Sequence, residues 1–219
     1  MKKYVINEIY VTIHGEGVRF GVPHVFVRFS GCNLTCGFCD TEFESGKEMT
    51  AAEILAMCQN TADQECNSEG VWKVPGAKVA PNNGPKEDAL RNVLFCGGEP
   101  LLQLDKELMD AFKTAGWYTV VETNGAYAAP EGLDWITCSP KVAEHAIKLK
   151  HVNEVKYVRG AGQGIPKPKL EADHYLISPM FDGDAVDPQI LAHCVALVQA
   201  NPGWRLTVQH HKAFWGEMR

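Results

Sequence analysis

A succession of short apolar runs, each closing on polar residues or glycine, constrains most strongly how this chain can fold. Residues 24–29 (HVFVRF) form the first dense run, and 92–96 (NVLFC) the next. Others follow at 117–121, 135–138, 154–158, 174–177 and 204–209. Their β-branched and aromatic content predicts strands. Residues 4–13 alternate apolar and polar side chains, which predicts an extended segment ahead of them. Helix signals lie between the runs. Thr50-Ala51-Ala52-Glu53 is a capping box, with Met49 and Ile54 placed as its hydrophobic staple. Asp105 can cap a helix that Gly116 stops, and Asp187-Pro188 opens another reaching about Ala200. Strands alternating with helices predict a mostly parallel α/β architecture. In such sheets chemistry collects at the carboxyl ends of strands, and the polar clusters stand there.

Directly past the first dense strand come Cys32, Cys36 and Cys39, spaced C-x3-C-x2-C and followed by Asp40-Thr41. Three thiolates this close can converge on one soft metal site, and such sulfur ligands select iron–sulfur clusters, zinc or copper(I). A structural zinc site is closed by four ligands. Three cysteines on a [4Fe–4S] cluster leave one iron open to a substrate or cofactor. A fourth ligand from Cys58, Cys66 or a histidine gives the competing zinc reading.

Elsewhere, Glu16 sits between two glycines that permit a tight path around one acid. Arg28 lies inside an apolar strand; it either points to solvent or reaches inward to hold an anion. Gly97-Gly98-Glu99-Pro100 closes the 92–96 strand, its glycines permitting close approach to the backbone. Residues 61–90 are polar and rich in Gly, Pro and Asn, and predict a surface insertion with a short strand near Val71 to Val74; Cys66 falls there as a bystander thiol. Gly160-Ala161-Gly162-Gln163-Gly164 is no dinucleotide fingerprint, because no helix follows. On a strand, His210 and His211 point to opposite faces, so at most one serves a site.

A net charge of -6 argues against an electrostatic nucleic-acid surface. Eight cysteines in 219 residues fall below the density of a disulfide scaffold. No secretory leader pattern and no membrane-length apolar run is present, so a cytoplasmic protein of one domain is expected.

The cysteine spacing followed by Gly-Gly-Glu-Pro resembles the radical S-adenosylmethionine (SAM) enzymes. A longer series runs through nearly the whole chain: Gly-Glu-Gly, Val-Arg-Phe-x-Gly-Cys-Asn, Cys-Asp-Thr, Glu-Thr-Asn-Gly, Ser-Pro-Lys and Trp-Arg-Leu-x-x-Gln-x-His-Lys. This series is similar to the 7-carboxy-7-deazaguanine synthase family. The resemblance implies an abbreviated, partial (β/α) barrel that contracts 6-carboxy-5,6,7,8-tetrahydropterin to 7-carboxy-7-deazaguanine with loss of ammonia. It implies a [4Fe–4S] cluster on Cys32, Cys36 and Cys39, with Mg2+ at Thr41. SAM would lie against Phe38, Cys39, Asp40, Gly98, Glu99, Ser139, Pro140, Lys141, Ser178, Pro179 and Met180. The pterin would meet Ile13, His14, Gly15, Glu16, Arg28, Cys96 and His211. A homodimer served by a reductant such as flavodoxin or ferredoxin is implied, with no nucleic-acid or membrane partner. Four positions depart from the family pattern: His14 and Ser178 for glutamine, Cys96 for threonine or serine, His210 for threonine. An activase of a glycyl-radical protein would share the cysteine loop and Gly-Gly-Glu-Pro without requiring Arg28 or Thr41; a zinc-binding module would hold no iron.

Overall fold

The computed structural model describes residues 2–37, 39, 41–65 and 91–212. In chain order these form β1 (Tyr4–Ile13), β2 (Pro23–Phe29), β3 (Lys47–Met49), α1 (Ala51–Glu65), β4 (Asn92–Gly97), α2 (Lys106–Thr114) and β5 (Tyr118–Thr123). They continue as β6 (Trp135–Cys138), β7 (His151–Arg159), β8 (Glu171–Pro179), β9 (Phe181–Asp182), β10 (Ala185–Val186), α3 (Pro188–Gln199) and β11 (Arg205–Leu206).

Nine strands make one sheet in the order β11-β8-β7-β6-β5-β4-β2-β1-β3. Every pairing from β2 to β11 is parallel; only β1 with β2 and β1 with β3 are antiparallel. The architecture is therefore the expected α/β one, an open partial barrel. Helices are fewer than strict alternation predicts. Among the described residues, the β5–β6, β6–β7 and β7–β8 crossovers carry no α-helix, and one 3₁₀ turn (Glu144–Ala146) is their only helical element.

Helix starts follow their caps. The Thr50 amide donates to Glu53 Oε2 at 2.7 Å, and the Glu53 amide donates to Thr50 Oγ1 at 3.3 Å. Asp105 accepts from the Leu108 amide at 3.1 Å and from the Tyr4 hydroxyl at 2.8 Å, so the cap of α2 also pins β1. Asp187 accepts from the Gln189 amide at 2.7 Å, with Pro188 at the first helical position.

One face of the sheet is apolar. Val27 and Phe29 of β2 and Phe95 of β4 pack with Ile54 of α1 and Leu108 and Phe112 of α2, all fully buried. The Phe112 ring meets Phe95 and Trp117 edge-on at 5.2 and 5.6 Å, a favoured aromatic geometry. A second cluster seats Cys194 of α3 on Val155, Tyr157 and Ile177. Since side chains alternate along a strand, the residues between these face the concave side. There Glu8, Arg28 and Cys96 lie in register, as do Glu122, Thr137, Glu154 and His174. Phe95 pairs with Val121, so Cys96 and Glu122 follow side by side and join the two sets into one polar rung.

The β1–β2 connection, residues 14–22, spans this concave face. The Val18 amide donates to Glu154 of β7 at 2.6 Å, and the Gly17 amide donates to Thr207 Oγ1 at 2.8 Å. Arg19 lies over the Tyr118 ring at 4.6 Å and donates to His24 Nε2 at 3.3 Å. Burial, then the charge of His14, pushes the His24 ring down to about 3, so it is neutral and can accept that bond.

Several boundaries differ from the sequence reading. α1 runs to Glu65, so residues 61–65, expected in the polar insertion, are helical instead; the rest of that stretch, with the strand expected near Val71 to Val74 and Cys66, lies outside the described residues. β5 continues through Glu122 and Thr123, because Glu122 finds a cation on the concave side and the Thr123 hydroxyl finds the Glu99 carboxylate on the other. The last strand is only Arg205–Leu206, and His210 to Lys212 turn helical, so strand alternation does not govern the two histidines.

Replacing Asp105 with alanine should cost about 1–2 kcal/mol, read from urea unfolding, since it removes a helix cap. An unchanged midpoint would mean that the cap does not hold α2.

Candidate active site

Three motifs distant in sequence clasp one another at the carboxyl ends of β2, β4 and β5. The Gly98 amide donates to Phe29 O at 3.1 Å, and the Glu99 amide donates to Gly31 O at 2.9 Å. A Cβ on Gly97 would stand 2.2 Å from Phe29 O, and one on Gly98 would stand 2.1 Å from Gly31 O. The glycine pair thus admits the protein's own backbone, the strand that leads into the cysteine loop. Glu99 is fully buried, and its carboxylate accepts from the Leu101 amide, the Thr123 hydroxyl and the Asn124 amide at 3.1, 2.6 and 2.7 Å. Burial pushes this acid up, against the pull of those three donors. Asn124 Nδ2 donates to Asn33 Oδ1 at 2.9 Å and closes the ring on the cysteine loop.

A cavity of about 250 Å³ opens on this clasp. Cys32, Cys36, Cys39 and Thr41 all line it. All three cysteines are free thiols. Burial and then the charges of Glu99, Cys36 and Cys39 push the Cys32 thiol up, as like charges held close together do. Among the described residues, no three His, Cys, Asp or Glu side chains already stand at metal-holding separations. The donor set nonetheless fits a thiophilic cluster: three free sulfurs on one short loop, facing one cavity, in a chain whose Asn124 and Gly98 brace that loop.

Other expected residues fall on the same wall. Cys96 comes from β4 and Gly98 from just past its end, Ser139 and Lys141 from the turn after β6, Ser178 and Pro179 from the end of β8 and Met180 from just beyond it. Burial pushes the Cys96 thiol up to about 12, so it is neutral. Glu16 lines the cavity from the β1–β2 connection. Phe38 and Asp40 lie outside the described residues. Ile13, His14, Gly15, Arg28, Glu99, Pro140 and His211 stand behind the wall or away from it. Ile13 is 40% exposed at the end of β1. The Arg28 guanidinium is held by Glu8 Oε1 at 2.7 Å and the Tyr10 hydroxyl at 2.8 Å. The His211 ring lies against Gly15, where a Cβ would meet Nδ1 at 2.1 Å, and the His210 amide donates to Gly15 O at 2.9 Å.

The cavity lining also carries Lys156 and Glu122, to which the sequence reading gave no role, together with Glu16, which it assigned to the pterin. Lys156 Nζ is 2.7 Å from Glu16 Oε2 and 3.7 Å from Glu122 Oε1, and His14 Nε2 donates to the same Glu122 oxygen at 3.0 Å. Burial pulls the Lys156 ammonium down, but Glu16 and Glu122 push it up further, and the net shift is upward. Burial pushes Glu122 up, but Lys156 and His14 hold it well below the usual carboxylate range. Glu154 lies one level deeper and is 1% exposed; burial pushes its carboxyl up despite the Val18 amide. Its Oε1 and His14 Nδ1 are, among the described residues, the buried side-chain polar atoms without a partner. A signal existed for both wall residues: Lys156 interrupts Val155 and Tyr157, and Glu122 follows Val120-Val121. Charges inside apolar strands need a buried partner.

A partial parallel barrel with three thiols at a strand end, braced by Gly-Gly-Glu-Pro, defines a radical SAM enzyme. No family model matches the chain. Curated relatives do. It is 39% identical over 210 residues to the 7-carboxy-7-deazaguanine synthase of Bacteroides thetaiotaomicron, covering 94% of this chain and 95% of that one. It is 36% identical over 223 residues to the enzyme of the same name from Bradyrhizobium diazoefficiens, covering 96% and 97%. The crystal structure of QueE from Escherichia coli has the same fold, with a TM-score of 0.66 over 95% of both chains at 21% identity. The chain belongs to the 7-carboxy-7-deazaguanine synthase family.

Gly98→Ala should lower iron bound after anaerobic reconstitution severalfold, because the added Cβ meets the Gly31 carbonyl and displaces the cysteine loop. Full iron loading in that variant would show that the clasp does not position the thiols.

Proposed function

We propose that this enzyme contracts 6-carboxy-5,6,7,8-tetrahydropterin to 7-carboxy-7-deazaguanine with loss of ammonia, in 7-deazapurine (queuosine-type) biosynthesis. The observation that carries the reading is one cavity lined both by three free cysteines and by the Glu16, Glu122 and Lys156 cluster. Cys32, Cys36 and Cys39 would hold a [4Fe–4S] cluster, which together with SAM would supply the single-electron chemistry that removes a substrate hydrogen. The chain's own residues bind, orient and shield.

Backbone and side chains at Phe38 to Asp40, Gly98, Glu99, Ser139 to Lys141 and Ser178 to Met180 cradle SAM. Glu99 acts there through the turn that it braces, since its carboxylate is taken up by the protein's own donors. Ile13 to Glu16, Cys96 and His211 shape the pterin pocket. Arg28 pairs with the substrate carboxylate; to do so it turns from Glu8 and Tyr10, two contacts on the same concave face. Thr41 would help to hold Mg2+, which would supply positive charge to offset the substrate carboxylate. The neutral Cys96 thiol adds no charge beside these groups. The 1–219 chain works as one domain with a surface insertion after α1. It acts as a homodimer in the cytoplasm, reduced by a flavodoxin or ferredoxin. No helix among the described residues is long and apolar enough to cross a membrane.

The test is an anaerobic assay of reconstituted protein with SAM, dithionite, Mg2+ and the carboxytetrahydropterin, followed by mass. Ring-contracted product is expected, and Cys36→Ala should abolish it. Accumulation of 5′-deoxyadenosine without that product would overturn the substrate assignment. Zinc in place of iron would overturn the cluster.

A further inference from the structure

Lys156 is the least expected residue in the cavity wall: an ammonium only 7% exposed, in the middle of a parallel strand. An unpaired charge at such a depth would be neutralised or would destabilise the fold. It is paired twice, and the two partners come from opposite sides of the concave face. Glu16 descends from the β1–β2 connection, while Glu122 stands at the end of β5. In each case one oxygen is engaged, Glu16 Oε2 by Lys156 and Glu122 Oε1 by Lys156 and His14. Both residues line the cavity.

We propose that Lys156 is a positioning residue that fixes Glu16 and Glu122 as a pair of anionic acceptors facing the cavity, ready for an N–H-rich edge of the bound ligand. The proposal deepens the pterin reading of the same pocket, since the amino-pyrimidine edge of a pterin is such a donor edge. Lys156 itself need not touch the ligand. It acts by making two neighbouring carboxylates compatible with each other and with burial.

The charges around it support this role. Facing Lys156 are Glu16 from the connection, Glu122 from β5 and Glu154 two residues earlier on its own strand, while His14 and His211 act on Glu122 from the other side. Three carboxylates therefore surround one lysine, and the excess negative charge falls on Glu154, whose acid is pushed up by burial and by Glu122. With Lys156 removed, Glu16 and Glu122 would face each other in a buried site with only the histidines to compensate. A lone carboxylate in that setting takes up a proton more readily, so the acceptors would be lost as pH falls and regained as pH rises.

The experiment compares wild type with Lys156→Gln and Lys156→Arg. Infrared difference spectra of ligand-free protein should show a protonated-carboxyl band in K156Q near neutral pH. That band should fade at higher pH and be absent from the K156Q/E122Q double variant. K156R, which keeps the charge, should lack it. With the pterin, KM for K156Q should rise on the order of ten-fold near neutral pH and recover as pH increases, with a smaller change in kcat. K156R should keep the flat wild-type profile. A residue that served only packing would change stability without producing either pH dependence. If K156Q does not fold, the wild-type minus E122Q difference decides: an ionised carboxylate persisting to about pH 5 supports the proposal, and a protonated one overturns it. A K156Q spectrum without the new band, or a pH-independent KM, also overturns it. The spectroscopic arm needs no substrate, so it can succeed even if the ring contraction is disproved.

Discussion

The backbone clasp between β2 and β4 is the contact on which the site depends. Gly97 and Gly98 lie so close to residues 29–31 that no side chain fits at either position, and the Gly98 and Glu99 amides donate across the gap. Glu99 then turns inward and takes three donors from its own turn and the end of β5, while Asn124 reaches back to Asn33. A buried carboxylate is tolerable only when donors saturate it. Here that saturation ties together three segments that each bring chemistry to the rim. The thiol loop is short and mostly irregular, so its geometry is borrowed from these strand ends.

The sheet divides its labour by face. Apolar residues on the convex side pack under α1, α2 and α3, while the concave side carries a polar rung across seven strands. Such a rung cannot be covered by lipid-like packing, which leaves room for a cavity where a closed barrel would have a core. Its charges are offset in place: Arg28 against Glu8, and Lys156 against Glu16 and Glu122. The β1–β2 connection completes the arrangement by bridging from β2 to β7 with backbone amides.

Local chemistry is legible from the sequence wherever it acts over a few residues. The Thr50-Glu53 box, the Asp105 and Asp187 caps and the β-branched strands appear in the structure where their residues predict them. The cysteine spacing pointed to the rim for the same reason. What was not legible is long-range. Periodicity could not show that the glycine pair admits residues 29–31 rather than a ligand, nor that Glu99 is consumed as a brace. Lys156 was read as an ordinary strand residue because its partners lie 140 and 34 positions earlier in the chain. His210 and His211 were read on a strand that ends at Leu206, since Trp204 to Gln209 has β-forming composition without a neighbour to pair along its length.

The meeting of Gly15 with His210, and of Gly17 with Thr207, joins segments nearly two hundred residues apart. Synthesis proceeds from the amino end, so the connection that carries Glu16 waits for Glu154 and Lys156, and then for Thr207 and His210, before all its partners exist. The thiol loop and its clasp, by contrast, need only residues up to Asn124. A nascent chain can therefore assemble its three-thiol loop well before the cavity beside it is complete. The cavity closes last, when β11 and the turn beyond it dock against the β1–β2 connection.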